Sequence, residues 1–202
     1  MGKVPQEIWE RHYADGLDFA PLGADERTVL AEHAAAPEGG GRALEVGCGT
    51  GELAVHLAAT GYTVDALDRA DAALERARAR HQGDGVRWLR LDIEHDDPAD
   101  LDDAGYDLIT LRLVLAFIDD RSRVLHALGE RLRPGGAVVL TTPQAAHTPA
   151  DRRGIALDED ELTLLTAGWA SVRRLEAGAL AVLVLRGPAG AKASPSAAVN
   201  CP

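Results

Sequence analysis

The stretch Leu44–Ala58, LEVGCGTGELAVHLA, sets three alternating glycines between an apolar run and a run with helical spacing. Glycine at 47, 49 and 51 lets backbone approach a ligand without Cβ atoms in the way. One spacing inside it, Gly49, Gly51 and Ala54, also satisfies the G-x-G-x-x-A fingerprint of dinucleotide-binding loops. The flanking chain decides between the possible ligands.

Strand-like and helix-like runs alternate around this loop. RALEVG (42–47) reads as a buried strand and ELAVHLAAT (52–60) as a helix stopped by Gly61. YTVDALD (62–68), VRWLRLD (86–92), YDLITLRLVLAF (106–117) and AVVLTTP (137–143) are further strands. Helices at DAALERARARH (71–81) and RSRVLHALGERL (121–132) separate them, the second ended by Pro134-Gly135-Gly136. This order, with runs apolar on both faces, predicts a parallel sheet wrapped by helices. The last third differs. A capping box, Asp158 with Glu161, opens a helix, and ASVRRLEAG (170–178) then meets ALAVLVLRG (179–187) through a turn too tight for a helical crossover. The expected fold is therefore α/β: a Rossmann-like, doubly wound seven-stranded sheet, mostly parallel, closed by a C-terminal antiparallel hairpin.

Upstream, PQEIWERHYADG places Ile8, Trp9, His12 and Tyr13 on one helical face, and a second helix is expected over Asp25–Ala35. Residues 1–36 thus read as a helical lid or substrate cap, 37–186 as the core, and 187–202 as a disordered tail.

Bulk composition narrows the partners. The 202 residues carry a formal charge of −11, which opposes binding to polyphosphate surfaces, so nucleic acid is not the expected substrate. Arg76, Arg78 and Arg80 read as a solvated helix face. No uncharged apolar run reaches the roughly 18 residues of a membrane span. With two cysteines, Cys48 and Cys201, and no apolar signal core, a reducing cytoplasm is expected.

A nicotinamide enzyme would use Gly49, Gly51, Ala54 and the acidic Asp68 about 20 positions on. That reading leaves Glu45, Gly47 and Asp92 unused. LEVGCGTG resembles motif I, acidic-x-G-x-G-x-G, of the class I S-adenosylmethionine-dependent methyltransferases. YDLITLRLVLAF resembles that family's fourth strand, LRPGGAVVLTTP its helix-to-fifth-strand turn, and the closing hairpin its last two strands. The similarity runs in order over residues 40–186.

The resemblance implies S-adenosylmethionine as cofactor and S-adenosylhomocysteine as product. It implies Glu45, Gly47, Cys48, Gly49 and Gly51 around the methionine and ribose parts, Asp68 at the ribose, Asp92 with Ile93 at the adenine, and Arg69 and Leu111 among the other cofactor-binding residues. Carboxylates suit these contacts, because Asp68 accepts from both ribose hydroxyls and Asp92 from the exocyclic amine. In related enzymes an N-terminal helix covers the cofactor, which puts Tyr13 near the methionine carboxylate and Trp9 toward the acceptor. No metal site is expected.

Catalysis by in-line displacement needs orientation above all. A base is needed only for a hydroxyl or a protonated amine, and His12 and His147 are the candidates. Arg112, after an apolar strand, should be paired if buried, with a carboxylate such as Asp119, or else should meet the cofactor region or an acidic substrate. LRLVLAF after the fourth strand lacks the Asn/Asp-Pro-Pro-aromatic motif of enzymes that methylate exocyclic or amide nitrogens, and Cys48 lies in the loop rather than at a nucleophile position. About fifteen residues, 144–158, separate TTP from the next helix, so this loop and the N-terminal segment should build the acceptor pocket. The expectation is methyl transfer to oxygen or nitrogen of a small molecule, by a monomer or homodimer. A non-catalytic S-adenosylmethionine-binding partner protein and an NAD(P)-dependent oxidoreductase are the alternatives.

Overall fold

A computed structural model describes residues 4–83 and 85–188, so the expected tail, with Cys201, lies outside the described residues apart from its first two positions. Seven strands form one sheet: β1 (Gly41–Val46), β2 (Tyr62–Asp68), β3 (Val86–Arg90), β4 (Tyr106–Arg112), β5 (Leu132–Pro143), β6 (Trp169–Ala177) and β7 (Leu180–Pro188). Their spatial order is β3-β2-β1-β4-β5-β7-β6. β1 to β5 run parallel, while β7 is antiparallel to both β5 and β6. The chain winds outward from β1 to β3 and then returns to place β4 against the other side of β1. That reversal opens a crevice beyond the C-terminal ends of β1 and β4, where open α/β sheets bind ligands.

Among the described residues six α-helices flank the sheet: α1 (Gln6–Ala14), which packs on α4, α2 (Ala24–His33), α3 (Glu52–Ala59), α4 (Asp71–Arg80), α5 (Arg121–Glu130) and α6 (Glu159–Thr166). Successive residues of a strand point to opposite faces, and both faces are apolar here. Leu44, Ile109, Leu111 and Leu140 pack with Leu125, Leu128 and Leu162 on one side. Ala43, Val64, Leu108 and Val139 pack with Leu30, Leu57 and Leu74 on the other. Ile109 is fully buried, so truncating it to alanine should cost about 2–5 kcal/mol.

The second helix spans Ala24–His33 rather than Asp25–Ala35. The Pro-Gly-Gly stretch does a different job from the one expected of it. α5 ends at Glu130, and β5 starts at Leu132, with the register shifting between Tyr106–Leu132 and Leu108–Ala137. Pro134, Gly135 and Gly136 fill that bulge, which bends the strand before it enters the core. The capping box forms as read: Asp158 Oδ1 accepts the Glu161 amide at 2.9 Å and Glu161 Oε2 accepts the Asp158 amide at 3.0 Å.

α1 lies against α4 and completes its end. Residue 70, at the N-cap of α4, is alanine and offers no side-chain acceptor. Glu10 of α1 supplies it, accepting the Asp71 and Ala72 amides at 2.7 and 2.9 Å. These bonds hold the Glu10 carboxyl below its ordinary value against the opposing effect of burial.

Candidate active site

The glycine loop turns off the end of β1 and is held to the end of β2. The Gly47 and Cys48 amides both donate to Leu67 O, at 2.8 and 2.9 Å. Asp68 Oδ2 accepts the Gly49 amide at 2.8 Å, and Oδ1 accepts the Ala70 amide at 2.9 Å. Glycine is required here on two counts. Gly47 and Gly49 have φ of +70° and +52°, and a Cβ would lie 2.2 Å from Val114 Cγ2 at the first and 2.8 Å from Tyr13 Oη at the second. The loop is thus sandwiched between α1 and the segment following β4.

Between them lies a cavity with about 1050 Å³ of empty space, counted to its open mouth. Glu45, Asp68 and Asp92, from the ends of β1, β2 and β3, stand around it. Glu45 is fully buried and its Oε2 has no hydrogen-bond partner. Burial pushes its carboxyl up to about 8 despite the pull of Arg112. Burial also raises Asp68, although two backbone amides oppose it. Asp92 goes the other way. Its burial is outweighed by the Glu94 amide, His95 and Arg69, which hold it below the usual carboxylate range.

These residues fit a ligand such as S-adenosylmethionine. A buried carboxylate oxygen without a partner suits an ammonium group, the glycine cradle leaves room for backbone contact, and two further carboxylates face hydroxyl and amine donors.

Most of the residues singled out from sequence converge on the cavity. Trp9 and Tyr13 reach it from α1; Cys48, Gly51, Arg69, Ile93 and Arg112 also line it. Tyr13 is buried, and that burial, with Asp68 nearby, raises its phenol above the ordinary value. Leu111 does not line the cavity; its side chain is wholly buried in the core.

Neither histidine lines it. His147 is exposed on a short turn, Ala145–His147. His12 packs behind the wall, its ring 4.9 Å from that of Phe19 and 5.1 Å from that of Tyr13, with Nε2 buried and without a hydrogen-bond partner. No residue of the loop 144–158 lines the cavity, although its turn at Ala150–Ile155 packs on the Leu115–Phe117 turn, which corrects the expected pocket. Gln144 and Leu157 bridge, Ala145 N donates to Leu157 O at 3.0 Å, and Leu157 is buried in the core, so the two ends of the loop are held together.

Phe19, Val114, Phe117 and Ile118 line the cavity as well. Sequence spacing gave no signal for these, since each depends on how segments far apart in the chain meet. Arg112 is paired, but with Glu26 rather than Asp119, whose amide donates to Glu94. The expected solvated arginines also have partners. Arg76 donates to the Tyr13, Gly16 and Leu17 carbonyls at 3.1, 3.1 and 2.6 Å and pairs with Asp18 at 2.9 Å.

The fold is the Rossmann-like, mostly parallel seven-stranded sheet expected from the sequence. Residues 44–138 are similar to the family model described as Methyltransferase domain. An uncharacterized methyltransferase of Mycobacterium tuberculosis is 37% identical over 112 residues, covering 55% of this chain and 54% of that protein. A demethylmenaquinone methyltransferase of Clavibacter sepedonicus is 34% identical over 131 residues, covering 64% of this chain and 52% of that protein. The chain spans about half the length of the curated relatives it matches. The crystal structure of the N-methyltransferase NodS of Bradyrhizobium japonicum WM9, in complex with S-adenosyl-L-homocysteine, superposes with a TM-score of 0.67 at 24% identity. That match covers 89% of this chain and 95% of the other. Among the described residues no helix is long and apolar enough to cross a membrane.

Proposed function

We propose that this chain binds S-adenosylmethionine in the cavity and transfers its methyl group to oxygen or nitrogen of a small-molecule acceptor. The observation that carries the reading is the placement of Glu45, Asp68 and Asp92 at three adjacent strand ends around the glycine loop. When bound, the cofactor supplies a methyl group already activated for displacement.

The protein's part is to hold and orient. Asp68, fixed by the Gly49 and Ala70 amides, keeps further lone pairs for ribose hydroxyls, and Asp92 faces the adenine amine. Glu45 receives the ammonium group through its unpartnered oxygen. Tyr13 and Trp9 cover the cavity from α1 and keep water out. Holding the acceptor in line with the activated methyl supplies much of the rate. A small acceptor agrees with the compact cover over the cavity, with the charge of −11 and with the quinone-derived substrate in the name of the Clavibacter relative.

The test is transfer of label from methyl-labelled S-adenosylmethionine to a panel of metabolites, tRNA, DNA and proteins. Label should enter a low-mass acceptor. Preferential labelling of a macromolecule would contradict the reading.

A further inference from the structure

Both phenylalanines of the chain, Phe19 and Phe117, line the cavity together with Trp9. They come from three separate segments: Trp9 from α1, Phe19 from the stretch after it, and Phe117 from the turn following β4. Trp9 stands between the other two. Its ring centroid lies 4.7 Å from that of Phe117 at 79°, and 5.4 Å from that of Phe19 at 44°. Aromatic rings take such edge-on and tilted arrangements because the positive edge of one meets the negative face of another, and a ring added to the cluster meets the same complementary surfaces. The cluster is incomplete, for Phe19 remains 42% exposed at the mouth.

The charges around the cavity point the same way. Its two arginines are already engaged, Arg112 with Glu26 at 2.7 Å and Arg69 with Asp92 at 3.8 Å. Glu94, beside the aromatic end, spends Oε1 on the Asp119 and Asp120 amides at 3.0 Å each. An anionic acceptor would therefore find carboxylates and committed cations.

The backbone marks the junction of the two halves. Leu113, which lines the cavity directly after Arg112, has φ of +58°, and among the described residues it is the one non-glycine with positive φ. Its amide is held by Thr141 O at 2.8 Å, and the turn it makes carries Val114 and Phe117 over the cavity. Such strain persists only where surrounding structure fixes it, and it clusters at ligand sites.

We infer that Trp9, Phe19 and Phe117 form the acceptor subsite and that it takes a compact, uncharged aromatic ring. This rests on the methyltransferase reading, because the subsite adjoins the space assigned to the cofactor. The experiment first titrates S-adenosylhomocysteine into the protein by calorimetry. It then measures binding of 1-naphthol, decahydro-1-naphthol and 1-naphthoate to the loaded protein by ligand-observed NMR.

The aromatic alcohol should bind at least about tenfold tighter than its saturated counterpart and than the anion. Phe117→Leu should lower naphthol affinity by about fivefold or more, a larger change than in S-adenosylhomocysteine affinity. Phe19→Leu, at a position 42% exposed, should lower it in the same direction. No S-adenosylhomocysteine binding would overturn the cofactor reading itself. Normal S-adenosylhomocysteine binding would overturn the aromatic subsite alone if it came with undetectable naphthol binding, equal binding of the saturated alcohol, tighter binding of the anion, or indifference to both substitutions.

Discussion

Arg112 and Glu26, 86 residues apart in sequence, meet in a two-point ion pair, Nε to Oε1 at 2.7 Å and Nη2 to Oε2 at 2.9 Å. Arg112 also donates to the carbonyls of Ala20 and Pro21, at 2.9 Å each. One arginine at the end of β4 thus ties the N-terminal segment and α2 across the mouth of the cavity. The Glu26 side chain is 5% exposed and that of Arg112 13%. Removing one partner leaves the other charged and largely buried, which typically costs about 3–5 kcal/mol. Glu26→Ala should destabilise by that order in chemical denaturation. The double variant Glu26→Leu with Arg112→Met should recover most of it, because replacing a buried ion pair by apolar packing is often neutral. A silent single variant would show the pair to be incidental.

Glu45 makes the empty protein sensitive to pH in a direction unusual for a carboxyl. Its value in the folded state, about 8, lies above its ordinary 4.5. Between these two the folded protein holds a proton that the unfolded chain has lost. The Glu45 contribution is therefore complete below about pH 4.5 and fades as pH rises toward 8. Wild type should lose stability relative to Glu45→Gln across that window, by up to about 1.4 kcal/mol per pH unit. Urea midpoints of both proteins at pH 5, 6.5 and 8 measure it; a constant difference would mean that Glu45 is ionised throughout. Binding of an ammonium-bearing cofactor should favour the ionised form, so calorimetry at pH 7 in buffers of different ionisation enthalpy should register proton release.

Arg76 latches the end of α1 to α4 through three carbonyls and Asp18. Hydrogen bonds from a charged donor contribute roughly 1.5–3 kcal/mol each at most, and less where water reaches them. Arg76→Ala should lower the local opening free energy of residues 6–17 by about 1–3 kcal/mol, seen as faster amide exchange there with the central strands unchanged. In wild type the same amides should gain protection when S-adenosylhomocysteine binds. Uniform exchange in all three states would make α1 a fixed part of the scaffold rather than a cover.

The sheet was legible in sequence because its signals are local. Runs such as LEVG and YDLITL are apolar on both faces, glycines interrupt them at turns, and the capping box at Asp158 announces α6. The loop end of the cavity was legible for a related reason: a glycine loop and carboxylates at strand ends occupy fixed places once the strand order is known. The aromatic end was not. Phe117 and Phe19 show no shared spacing, and the Arg112–Glu26 pair spans most of the N-terminal half. Arg76 stands among alternating arginines that look like any solvated helix face. His147 drew attention by its place in a loop after β5, yet that loop folds back on its own Gln144–Leu157 bridge. Composition and spacing carry no information about which way such a loop turns.

The central claim is that the glycine loop, pinned to Asp68 through the Gly49 amide, is a cofactor site. Calorimetric titration of S-adenosylhomocysteine into wild type, Asp68→Ala and Gly49→Val tests it most directly. Wild type should bind one equivalent. Asp68→Ala should bind more weakly by roughly 1–3 kcal/mol, the cost of leaving polar groups unpaired. Gly49→Val should lose binding, since its Cβ would lie 2.8 Å from Tyr13 Oη at a φ that branched residues avoid. Undiminished binding by a folded Gly49→Val protein, or no binding by wild type, would contradict the account.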